Sequence, residues 1–192
     1  MKTTSIMIVG VGGQGTLLAS KLLGNVLLGA GYDVKLSEVH GMSQRGGSVV
    51  TYVRYGDKVY SPIVDQGEAD YILSFEILES ARWISYLKQG GLLITNTQKT
   101  WPMPVITGAT AYPEGIVEKL SAMADVQAVD ALALAEQAGS PKAVNVVLIG
   151  VLSKRMDIPE EAWLKAIDET VPPRFLELNR KAFQLGRQAL DA

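Results

Sequence analysis

Two stretches of the chain gather residue types able to hold or move charge. The first is Gly10-Val11-Gly12-Gly13-Gln14-Gly15, a G-x-G-x-x-G pattern that follows an apolar run and precedes a stretch, 16–30, with apolar residues on more than one helical face. Glycines at these spacings allow a tight turn and close backbone approach. The free amides of a following helix start favour a phosphate or carboxylate. The second is Glu38-Val39-His40-Gly41-Met42-Ser43-Gln44-Arg45-Gly46-Gly47-Ser48. It sets a carboxylate, an imidazole, hydroxyls, an amide and a guanidinium among glycines, a density of polar function that folding does not require. Arg45 suits bidentate recognition of an anion, and Ser43 and Gln44 can add hydrogen bonds. His40 is the one histidine, which argues against a histidine metal site. His40 and Arg45 are the candidates for catalysis, against the blander readings of an imidazole satisfied by a neighbour and a surface ion pair.

Positioning these loops needs an α/β frame. The apolar run 6–9 reads as a strand buried on both faces, 16–30 as a helix and 34–39 as a second strand, a βαβ opening. Alternation then breaks. Residues 40–47 leave no room for a helix, and 48–55 with 58–64 read as an antiparallel hairpin turning at Gly56-Asp57. It resumes with a strand at 71–75, a helix at 77–88 stopped by Gly90-Gly91, and a strand at 92–95. An irregular Trp101-Pro102-Met103-Pro104 segment precedes helices at 113–122, 131–138, 144–155, 160–169 and 174–190, with one strand at 126–129. The expected fold is a Rossmann-like three-layer α/β/α sandwich, with a mainly parallel sheet, an inserted antiparallel hairpin and a helical C-terminal part, as one domain over 1–192.

Composition narrows the chemistry. A chain of 192 residues buries roughly 70% of its unfolded surface, enough for an independent core. It has no cysteine, and so neither cluster ligand, disulfide nor thiol nucleophile. With 18 basic and 20 acidic residues and no basic run, nucleic acid is not an expected partner. The longest apolar stretch, 143–152, is broken by Asn145 and is too short to cross a bilayer. The start of the chain lacks a signal peptide, so a soluble cytoplasmic protein is expected. Glu76 and Glu79 have no carboxylate partner at a telling spacing, Trp83 and Trp163 read as core, and Trp101 reads as an interface residue. The last helix carries a broad stripe, Phe175, Leu178, Ala182, Leu185 and Ala189 with Leu176, Phe183 and Leu190 beside it, expected first to cover its own sheet.

Read alone, the first loop also fits a dinucleotide site with Glu38 as the ribose-binding acid. The absence of a returning helix after Glu38 counts against it. A module whose glycines serve only packing is the other alternative. Together the two loops resemble the gamma subunit or gamma domain of the 2-oxoacid:ferredoxin oxidoreductases. The Glu38-to-Gly47 form is most similar to the indolepyruvate branch. The resemblance implies an accessory subunit of an oxidative decarboxylation that yields acyl-CoA and CO2, inactive alone. It places thiamine diphosphate, magnesium and [4Fe-4S] clusters on an alpha-type partner that passes electrons to ferredoxin. Consistently, this chain has no G-D-G with a downstream N-N: Gly56-Asp57-Lys58 is a turn, and Asn96 and Asn145 are isolated. Coenzyme A is the ligand it implies for Gly10, Gly12, Gly13, Gln14 and Gly15, with Glu38, Ser43, Gln44, Arg45, Gly46 and Gly47 lining the same region. For the isolated chain a homodimer is a possible state.

Overall fold

A computed structural model describes residues 3–39 and 46–189. Six strands form one sheet in the order β2-β3-β1-β4-β5-β6: β1 Thr4–Val11, β2 Asp33–Val39, β3 Ser48–Gly56, β4 Ala69–Ser74, β5 Leu87–Asn96 and β6 Asp125–Val129. The ladders β1–β4, β4–β5 and β5–β6 are parallel, whereas β3 runs antiparallel to β1 on one side and β2 on the other. Hence β3 alone opposes the other five strands. Side chains of β1 alternate between two cores, as the two-residue period of a strand requires. Ile6 and Ile8 pack under α1 (Thr16–Gly29), α5 (Ala131–Ala138), α6 (Val144–Ser153), α7 (Glu160–Thr170) and α8 (Leu176–Gln188). Met7 and Val9 pack on the opposite face under α2 (Ile77–Trp83) and α4 (Ile116–Ser121). The expected three-layer α/β/α arrangement is thus present, and a short α3 (Met103–Ile106) follows Pro102.

Three local expectations are corrected. Residues 58–64 form no strand, because both edges of β3 are already taken by β2 and β1. Val59 N–H donates instead to Asp33 Oδ2 at 2.8 Å, Ile63 C=O accepts from Arg54 Nη1 at 2.7 Å, and Pro62 has no N–H to give. The antiparallel insertion is therefore β3 itself. The helix expected over 77–88 ends at Trp83 and passes through a 3-10 turn, Ile84–Tyr86, directly into β5. Gly90 and Gly91 lie inside that strand rather than stopping a helix. A Cβ at Gly91 would sit 3.0 Å from the Ala69 carbonyl, beside the register shift between β4 and β5. The last helix begins after a 3-10 turn, Pro173–Phe175, and packs chiefly on α6.

α6 is apolar on every face save for Asn145 and Ser153, and every one of its residues is buried. It is gripped by α8 through glycines on both helices. A Cβ at Gly150 would lie 2.2 Å from Phe183 O, and one at Gly186 would lie 2.0 Å from Val147 O. The backbones touch. Ala182 and Phe183 fill the seam, while Phe175 stays exposed and Leu190 lies outside the described residues. Gly186→Ala is expected to lower stability by about 1–3 kcal/mol through overpacking. Gly24→Ala, whose added methyl meets only Leu36 Cδ1 at 4.0 Å inside α1, should raise it by up to about 1 kcal/mol. Urea midpoints of the two variants, moving in opposite directions, check both.

Candidate functional site

Because five strands share a direction, their C-terminal ends and the start of β3 meet at one edge of the sheet. There the two glycine-rich loops are laced together. Gly12 N–H donates to Gly47 O at 2.8 Å and Gly46 N–H to Gly12 O at 3.2 Å, extending the β1–β3 ladder past its last pair, Val11 with Ser48. Of the residues expected at the site, Gly10, Gly12, Gly13, Gln14, Gly15, Glu38, Gly46 and Gly47 are brought together here. His40, Ser43, Gln44 and Arg45 lie outside the described residues.

Within the first loop the roles divide. Gly10 needs to be small, since a Cβ there would lie 2.9 Å from Gln14 Oε1 and 3.0 Å from Phe75 Cβ. Gln14 turns back into the protein: its Oε1 accepts from Val11 N–H at 2.8 Å and its Nε2 donates to Phe75 O at 3.3 Å. It braces the turn. Gly15 caps α1 in the left-handed region (φ 86°), and a Cβ would also strike Asn145 Nδ2 at 2.8 Å. The amides of Gly13, Gly15, Thr16 and Leu17 have no partner among the described residues. No side chain caps this helix start, so the donors and the positive end of the helix dipole face outward. They open on a cleft of about 400 Å³ whose far wall is Glu38, Val39, Val49 and Thr51. Glu38 is held there by Ser20 Oγ–H at 2.6 Å.

A smaller cleft of about 200 Å³ lies on the other side of the laced strands, between Gly46–Gly47 and α2, with Arg82, Trp101 and Pro102 on its walls. Trp101 is 59% exposed, and Met103 and Ile106 beside it are exposed as well. Two carboxylates form the floor of this edge. Glu76, 1% exposed, caps α2 by accepting from Glu79 N–H at 2.9 Å, and its other oxygen takes Thr100 N–H at 2.9 Å and Tyr112 Oη–H at 2.6 Å. Burial and that bond to a carboxylate push the Tyr112 phenol up. Glu79, 4% exposed, accepts from the Ser48 hydroxyl and lies 3.1 Å from Arg82 Nε. Burial pushes its carboxyl above the usual range, opposed by Ser48 and Arg82.

Two asparagines complete the edge. Asn96 Nδ2 donates to Phe75 O at 3.2 Å and its Oδ1 accepts from Ala131 N–H at 3.2 Å, joining β4, β5 and the start of α5. Asn145, at the start of α6, donates to Gly15 O at 3.3 Å. Sequence reading missed Ser20, Glu76, Glu79, Asn96 and Asn145 as parts of the site, and it placed Ser48 at the end of the second loop without its partner Glu79. One signal was visible: Asn145 is the polar interruption of the chain's most apolar stretch. Among the described residues, no helix is long and apolar enough to cross a membrane.

Comparison with known proteins agrees with this fold. The chain is 47% identical to the indolepyruvate oxidoreductase subunit IorB of Thermococcus kodakarensis over 98% of its own length and 96% of that protein's. It superposes with a TM-score of 0.73 and 26% identity on the gamma subunit of a keto/oxoacid ferredoxin oxidoreductase from Geobacter sulfurreducens, covering 98% of this chain and 99% of that one. The same fold makes up 31% of the chain of a 2-oxoglutarate:ferredoxin oxidoreductase from Magnetococcus marinus, solved with 2-oxoglutarate, coenzyme A and succinyl-CoA. There the TM-score is 0.75, at 18% identity over all of this chain. The sequence model of the pyruvate ferredoxin/flavodoxin oxidoreductase family matches residues 5–189, and the chain belongs to that family.

Proposed function

We propose that the chain is the gamma-type subunit of a thiamine-diphosphate-dependent 2-oxoacid:ferredoxin oxidoreductase that acts on indolepyruvate. In that reaction a 2-oxoacid and coenzyme A give acyl-CoA, CO2 and a proton, while two electrons reduce ferredoxin. The observation that carries the reading is the lacing of Gly12 to Gly46 and Gly47, beside amides that have no partner among the described residues. Identity to the Thermococcus subunit across nearly the whole of both chains supports the substrate.

Thiamine diphosphate on the alpha-type partner supplies the carbon–carbon cleavage, and iron–sulfur clusters there carry the electrons. This chain's own residues do not fit either group: it has no cysteine and no G-D-G with a downstream N-N. Its residues do fit an anion. Gly13, Gly15, Thr16 and Leu17 amides would hold a phosphate of coenzyme A, with the apolar wall of Val39 and Val49 beside it. Arg45, Ser43 and Gln44 would face the partner and substrate, Arg45 pairing a carboxylate or phosphate. His40 stays a candidate for proton transfer in the same loop. Exposed Trp101, Met103 and Ile106 suit a partner-facing surface.

Reconstitution with a subunit carrying thiamine diphosphate and clusters should give viologen reduction that requires this chain, coenzyme A and an arylpyruvate, with pyruvate a poor substitute. The isolated chain should show no turnover. A complex whose rate is indifferent to this chain would refute the reading. In the same assay Arg45→Ala is expected to raise KM for the oxoacid or for coenzyme A by about tenfold, the scale of one charge-assisted pair. Unchanged constants for both would remove Arg45 from the site.

A further inference from the structure

We propose that Glu79 is a positioning residue for the second glycine-rich loop. Through the Ser48 hydroxyl it fixes where Gly46 and Gly47 lie against Gly12, and so sets the turnover of the assembled enzyme. The kinetic half of this inference rests on the function proposed above; the geometric half does not.

Ser48 is the first residue of β3 and directly follows Gly46-Gly47. Its hydroxyl donates to the Glu79 carboxylate and accepts from Trp83 Nε1 at 3.4 Å, so two residues of α2 hold one atom of the loop's stem. The other stem is held the same way on the opposite side. Glu38, the penultimate residue of β2, takes the Ser20 hydroxyl of α1 at 2.6 Å. Glu38 and Ser48 are therefore each joined by a serine–glutamate bond to one of the first two helices. Residues 46 and 47 lie between the Ser48 anchor and the backbone bonds to Gly12, and cannot shift without breaking one or the other.

Glu79 is not needed where it stands for the helix or the core. Glu76 already caps α2. Arg82, the ion-pair partner, is half exposed and could be solvated. Keeping the carboxylate ionised costs stability, because burial favours its protonated form in the folded state. The sign follows: with its folded-state pKa raised, the group makes its smallest contribution to stability above that pKa, where it is charged. A glutamine could contact both Ser48 and Arg82 without that cost. What the carboxylate adds is a charge-assisted acceptor about twice as strong as an amide oxygen, which is worth keeping if the position of the loop matters.

The test uses Ser48→Ala, Ser48→Thr and Glu79→Gln in the full chain and in the reconstituted complex. Amide hydrogen exchange of the full chain should quicken about tenfold at Gly12 and Gly46 in Ser48→Ala, as expected for the loss of one charge-assisted bond. It should quicken less in Glu79→Gln and return to the wild-type rate in Ser48→Thr. Glu79→Gln should melt no lower than wild type. In the complex, kcat should fall about tenfold for Ser48→Ala with both KM values nearly unchanged, as for misplaced rather than missing binding groups. Wild-type exchange at Gly12 and Gly46 in both Ser48→Ala and Glu79→Gln overturns the positioning role. Quickened exchange with wild-type kcat overturns its link to turnover. A wild-type complex without oxoacid-dependent turnover overturns the proposed function, while the exchange data still decide whether Glu79 positions the loop.

Discussion

The reciprocal backbone bonds of Gly12 with Gly46 and Gly47 exist because one strand runs the wrong way. In a doubly wound sheet β2 lies beside β1, and the chain after β2 crosses through a helix. Here β3 turns straight back from β2 and inserts between β2 and β1, antiparallel to both. A loop between antiparallel neighbours stays at the end where it started. The end of β2 at Val39 and the start of β3 at Ser48 thereby lie at the edge that carries the first glycine turn, where Gly46 and Gly47 pair with Gly12. A parallel crossover would have returned the chain to the opposite end of the sheet, leaving the first loop as an ordinary strand-to-helix turn.

Holding that edge in place is a polar network of uneven visibility. Phe75 O accepts from both Gln14 and Asn96, so the turn after β1 and the ends of β4 and β5 share one acceptor. Asn145 ties Gly15 to the first residues of α6, the helix that α8 locks against the sheet by backbone contact at Gly150 and Gly186. Buried polar groups are tolerable only when satisfied, and Glu76 has three donors on its two oxygens. The amides of Gly13, Gly15, Thr16 and Leu17, which have no partner among the described residues, are the exception, and they face a cleft where water or an anion can satisfy them.

Sequence reading recovered what depends on local pattern. The run 6–9, the glycine turn, the helix after it and the strand after that follow from apolar spacing and punctuation, and α5 matches its expected limits, 131–138. The failures are long-range. Nothing in residues 58–64 reveals that both edges of β3 are occupied, and their Val, Tyr and Ile content favours a strand until that competition is known. Gly90-Gly91 reads as a helix stop, yet its role is close approach to the Ala69 carbonyl across a bulge. The glycines of the site were legible as a motif. Glu79 and Ser48, 31 positions apart, had no shared signal because their meeting depends on where α2 lies over β3.

A chain of this family without cysteine has no thiolate ligand for an iron–sulfur cluster, and on the function proposed above what it offers is shape and fixed dipoles. Fixed dipoles are useful only if they do not reorient when the ligand arrives, since reorganisation consumes binding energy that could otherwise act on the reacting groups. The molecule meets that condition by rigidity underneath and exposure above. The amides at the start of α1 belong to a helix packed between sheet and α7, and their turn is braced from within by Gln14 and Asn145. On the other side Glu76 fixes the segment leading to Trp101 through Thr100, and Glu79 fixes the stem of the second loop through Ser48. Buried carboxylates would be a poor choice for stability alone. Beneath the Trp101 segment and the stem of the second glycine-rich loop, they give Thr100 and Ser48 strong, fixed acceptors.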